Sequence, residues 1–131
     1  MVEFVTKQQA REQIRLDDGA DEGWLDTFIP AVSQQVANWL KDSWRVYQLQ
    51  RDASGALIVD SNGIPLPVLD DDDNPVLDPS VVAATLIELA NQYRFREGEG
   101  DTYVPSDAGW GYTLCRASVA ILTPLRKPTV A

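Results

Sequence analysis

The stretch WLDTFIPAVSQQVANWL, residues 24–40, decides how the rest of the chain is read. Its apolar residues, Leu25, Phe28, Ile29, Val32, Val36, Trp39 and Leu40, recur at steps of three and four, the spacing of the buried stripe of an amphipathic helix. Pro30 interrupts the composition but not the phase. A proline inside a helix deletes one backbone hydrogen bond and costs about 3 kcal/mol unless the site is prepared for it, so a kinked helix is expected rather than two short ones.

Upstream, Thr6-Lys7-Gln8-Gln9 has the form of a capping box and opens a first helix over residues 7–15. Ala10 and Ile14 give it a narrow apolar face. Lys7, Arg11 and Arg15 recur every fourth residue as a short basic stripe, suited to an acidic partner surface. Between the two helices lies Asp17-Asp18-Gly19-Ala20-Asp21-Glu22. Its four acids suggest a metal loop, but a helix-turn-helix corner is the stronger reading, with Asp21 as N-cap and Glu22 in the first turn, where the helix dipole favours negative charge.

Downstream of residue 45 the helical period disappears. The extended segments VYQLQ, ALIVD and IPLPVL are separated by DASG, DSNG and DDDDN, which predicts a small inserted β-hairpin or meander over residues 45–78. Pro65 and Pro67 would hold that strand at an edge. The run Asp70-Asp71-Asp72-Asp73 lacks the spacing of a calcium-binding loop and reads as a solvated turn. Asp78-Pro79 restarts a helix, with Val82, Ala83, Leu86, Leu89, Ala90 and Tyr93 as its buried stripe. After a loop, YTLCRASVAILT (112–123) forms a fourth helix carrying Cys115 on its apolar face, and residues 125–131 form an extended tail. The expected fold is all-α: a single domain over residues 1–131, a bundle of about four helices with one inserted β-element between the second and third.

Composition narrows the function. The chain of 131 residues has 20 acids, 11 bases, one cysteine and no histidine. Without histidine, Ser-His-Asp and Cys-His catalysis cannot be assembled within one chain, and the side chain that most often ligates metals is missing. Most acids fall in turns rather than as pairs on rigid helices, so no enzyme and no cofactor is expected, with a metal-dependent hydrolase using the turn acids as a remote alternative. The net charge of −9 disfavours a general phosphate-binding surface. No apolar run is long enough to span a membrane, and the start MVEFVTKQQA lacks the features of a signal peptide. Aromatic side chains are enriched at protein interfaces, and Trp44 and Trp110, beside irregular segments, are the best placed for that role.

The order of elements resembles the head-tail connector, or adaptor, proteins of long-tailed bacteriophages. The resembling segments are the capped helix VTKQQAREQIRL, the acidic turn DDGADE, the long helix WLDTFIPAVSQQVANWL, then PSVVAATLIELANQYRFRE and a terminal helix closing on ILTPLRKP. The resemblance omits most of the insertion and rests on order and length rather than on one diagnostic motif. It implies a virion structural protein made in the bacterial host cytoplasm. It implies also a homo-oligomeric ring, usually dodecameric, that docks on the portal protein and presents a platform to head-closure or tail-completion proteins at the head-tail junction. DNA would pass through the channel without sequence-specific binding. Leu125, Arg126 and Lys127 of the tail would contact the portal. The alternative from another class is a small acidic helical binding module, inhibitor- or antitoxin-like, acting as monomer or dimer.

Overall fold

A computed structural model describes residues 3–17, 19–94 and 114–126. Among these residues the fold is built on four α-helices: α1 (Lys7–Ile14), α2 (Glu22–Leu40), α3 (Pro79–Arg94) and α4 (Arg116–Leu122). Short 3-10 turns follow α2 at Ser43–Val46 and α4 at Thr123–Leu125. The third helix is central, packing against the other three.

The capping box at Thr6 forms as its sequence predicts. Gln9 donates its backbone N–H to the Thr6 hydroxyl at 3.1 Å, and the Gln9 side chain accepts from the Thr6 backbone at 2.9 Å. The second helix runs unbroken through Pro30 and buries Leu25, Ile29, Val32, Val36 and Leu40. One turn beyond Pro30, the buried Ser33 hydroxyl donates to the Ile29 carbonyl at 2.7 Å and accepts from the Phe4 backbone at 3.0 Å. That bond pins the N-terminal segment, with Phe4 and Val5 in the core, against α2.

Asp21 occupies the N-cap position of α2 but does not cap it. Its φ of 51° is left-handed, whereas a capping residue is typically extended, and its side chain makes no cap bond. The carboxylate accepts instead from the Tyr93 hydroxyl on α3, so Asp21 ties two helices together. No helix among the described residues is long and apolar enough to cross a membrane.

The inserted β-hairpin or meander is not present: the described residues contain no strand. The segment makes five isolated antiparallel pairs, Tyr47–Leu77, Leu49–Pro67, Arg51–Leu57, Val59–Pro65 and Leu69–Pro75. No ladder extends beyond one pair because the chain changes partner every second residue. Gln50 donates its N–H to Leu66, Leu66 to Ile58 and Ile58 back to Gln50, at 2.9, 2.9 and 3.1 Å. Gln48, Val76 and Val68 close a second cycle in the same sense at 2.9, 2.9 and 2.8 Å. Each cycle is a three-way junction, and the result is a branched stem. The pair 47/77 roots it on the helical body, 49/67 links the junctions, and arms closed by 51/57, 59/65 and 69/75 project outward.

The three arms end in turns of one design. Asp52, Asp60 and Asp70 each accept from the backbone N–H groups two and four residues ahead, at 2.8–3.1 Å. The fourth residue of each turn is left-handed: Gly55 at 86°, Gly63 at 79° and Asp73 at 61°. Pro65, Pro67 and Pro75 all stand in the single pairs, and the residues of such a pair exchange no N–H bonds, so their missing donors cost nothing.

The third and fourth helices depart from their patterns in one related way. The buried face of α3 is Val81, Ala84, Thr85, Glu88 and Leu89. Val82 and Leu86 are only partly buried against the core, and Ala83 is exposed. The shift arises because Glu88 is buried. Its Oε2 accepts from the Cys115 backbone at 3.0 Å and the Ser118 hydroxyl at 3.2 Å. Cys115 is therefore the extended N-cap of a helix that begins at Arg116, not a residue on its apolar face. Ser118 also lies 3.1 Å from the Ala84 carbonyl. A buried carboxyl thus finds its partners at the start of the neighbouring helix.

Candidate interaction surface

The 3-10 turn after α2 carries Trp44 and Arg45 to the root of the stem. Arg45 stacks over the Trp44 ring at 4.3 Å, pairs with Asp42 at 2.8 Å and donates to the Leu125 carbonyl at 3.1 Å. One side chain thus joins the end of α2 to the end of the C-terminal turn. Above it opens a groove of about 400 Å³ lined by Trp44, Tyr47, Leu49, Leu57, Pro124 and Leu125, with Arg45 and Arg51 among its walls. Arg51 is exposed and donates to the Gly55 carbonyl of its own turn at 2.9 Å. Of the side chains singled out in the sequence, the structure brings Trp44 and Leu125 together here.

The others lie elsewhere. Arg126 stacks over Trp39 at 4.3 Å, on a different face, and its Nε is buried without a hydrogen-bond partner among the described residues. Lys7 pairs with Glu22 and, at 2.6 Å, with Asp26, and Arg11 pairs with Glu22. Two members of the basic stripe therefore hold the α1–α2 corner. Arg15 caps α1 in a left-handed conformation and is exposed. Trp110 and Lys127 lie outside the described residues.

The electrostatics follow these contacts. Hydrogen bonds to Asp26 and then Glu22 raise the Lys7 pKa, and bonds from Lys7 and Arg11 lower that of Glu22. The Ser54 hydroxyl, followed by the Ala56 and Ser54 amides, holds the Asp52 carboxyl below its usual range. No group of three or more possible metal ligands occurs among the described residues.

What the motif reading missed is the outer stem. Among the described residues the large hydrophobic side chains that stand exposed, Ile58 (37%), Val59 (49%), Ile64 (45%) and Leu69 (48%), all belong to it. Tyr47 to Asp78 also carries seven acids against the single base Arg51, six of the chain's nine net negative charges. The stem thus combines acid-tipped arms and exposed aliphatic side chains with an aromatic groove that holds Arg45 and Arg51, features of a kind enriched at protein interfaces. The signal available in the sequence was the recurrence of Asp with a left-handed residue three positions later. Compared with protein-family models, curated proteins and solved structures, the chain gives no match.

Proposed function

We propose that this chain is a virion structural protein of long-tailed bacteriophages, a subunit of the adaptor ring between the portal and the head-closure or tail proteins, and not an enzyme. The observation that carries the reading is the stem: a hydrogen-bonded element with exposed apolar and acidic arms, mounted on a small helical body whose large apolar residues are buried or half-buried among the described residues. An assembly protein needs such a fixed projection, because ordering a flexible loop on contact would subtract from the free energy of association. The order of a capped helix, acidic corner, long helix, third helix and terminal helix closing on Leu122-Thr123-Pro124-Leu125-Arg126 supports the same reading. So does net negative charge, which suits a channel that must release DNA.

Sedimentation and native mass measurement of the chain, alone and mixed with the portal protein of the same phage, test the proposal. A closed oligomer that co-sediments with portal is the result foreseen. A chain that stays monomeric and ignores the portal would remove the adaptor reading and leave a small acidic binding module, inhibitor- or antitoxin-like, in its place.

A further inference from the structure

We infer that copies of this chain join head to tail through the arm closed by Leu69 and Pro75, which enters the groove of the next copy between Trp44 and Leu57. The contact deepens the ring reading and rests on it. Its two surfaces come from the stem's branching. The arm leaves the junction of Gln48, Val68 and Val76 between Val68 and Val76, across from Gln48. Gln48 and Leu49, by contrast, line the groove. Arm and groove are therefore different surfaces of the stem, built by different segments. Two different surfaces of one chain join copies in a heterologous contact, which closes when the rotation between copies divides a full turn.

The chemistry of the two surfaces is complementary. The arm offers Leu69, 48% exposed, followed by four consecutive aspartates, Asp70 to Asp73. The groove offers aromatic and aliphatic walls with the exposed guanidinium of Arg51, beside Arg45, which Asp42 already pairs at 2.8 Å. Asp78, the acid in the groove, is engaged by the Ser80 backbone N–H at 2.8 Å at the start of α3. Docking would set Leu69 on the apolar wall and the aspartates near the arginines. Complementary charge also favours this register, since two aspartate-tipped arms brought together would repel.

Charge reversal tests the contact. Arg51 is exposed, and Asp71 and Asp72 are exposed beside the turn-forming Asp70, so the double substitution Asp71→Lys with Asp72→Lys leaves that turn's bonds in place and Arg51→Glu removes one bond, to the Gly55 carbonyl. Self-association is measured by sedimentation, alone and on the portal, with far-UV dichroism to confirm unchanged helix content. Each variant should weaken association at least about tenfold, and combining all three substitutions in one chain should restore it to within about threefold of the parent. A combined chain that stays as weak as the single variants, variants that assemble like the parent, or a parent that does not self-associate in either setting would overturn the contact. If the variants assemble on portal like the parent, the adaptor reading survives and this contact does not. If the parent associates with this charge pattern but ignores the portal, the reverse holds.

Discussion

The helical body and the branched stem hold their shapes by different means. In the body, Leu25, Val32, Val36, Leu40, Leu89 and Leu122 are wholly buried, and the few buried polar groups named above, Ser33, Thr85, Glu88 and Ser118, each have a hydrogen-bond partner. In the stem only Pro65 is buried, and shape comes from two cycles of backbone bonds and three repeated aspartate turns. Burial rewards each aliphatic side chain by roughly 1.5–3 kcal/mol, whereas one solvated hydrogen bond contributes about 0.5–1.5 kcal/mol. The body should therefore respond to lost volume, and the stem to altered turn geometry.

The largest contrast is expected from truncation. Leu89→Ala should cost about 2–5 kcal/mol in urea unfolding, and Ile58→Ala, already 37% exposed, well under about 1 kcal/mol. Equal losses would mean that the stem is also held by a packed core. Glu88→Ala should come next, at about 1–3 kcal/mol, because it leaves the Cys115 amide without its carboxylate acceptor and opens a void beside Ser118, which keeps the Ala84 carbonyl. Exchange of the α4 amides should accelerate with it, which sharpens the assignment of Glu88 to that helix end.

In the stem, Gly63→Ala places a side chain at φ 79° and should cost roughly 1–2 kcal/mol although nothing lies within 4 Å of the added methyl. Asp73→Gly relieves the matching position of the third turn and should gain up to about 1 kcal/mol. If neither changes the urea midpoint, the stem unfolds separately from the body, and amide exchange at Gln50, Ile58 and Leu66 would show it.

The smallest effect concerns pH. Glu22 has a lowered pKa, so its pairing with Lys7 and Arg11 contributes stability above the ordinary carboxylate range that disappears as pH falls through the folded-state value. The raised pKa of Lys7 acts at the other end, its contribution full below the ordinary lysine range and lost as pH rises through the folded value. Glu22→Gln should flatten the acid limb of the stability profile slightly while leaving the stem's amide exchange unchanged.

Much of the body was legible because helical burial is periodic. The stripe of α2, the capping box at Thr6 and the Asp78-Pro79 start could each be read from spacing alone. The face of α3 could not, since Glu88 and Thr85 are buried for their hydrogen bonds and a hydropathy pattern counts both as surface. Asp21 was misread for a similar reason: its partner, Tyr93, is 72 residues away. In the stem, the turn acids were visible, but alternating apolar residues looked like strands, and Pro65 and Pro67, expected at a strand edge, stand in the single pairs with Pro65 buried. Of the candidate surface, Trp44 and Leu125 were found by composition and resemblance, while the exposed arms were not singled out.

What the sequence determined by itself was therefore local: helix faces, caps, turns, the absence of histidine, and the order of elements on which the connector resemblance rests. Only the tertiary structure decided which residues donate to which. Two segments of similar alternation form a ladder if they keep one partner and a junction if they change it. That choice depends on a third segment closing the cycle, as Leu66 does for Gln50 and Ile58, and no spacing along one segment records it.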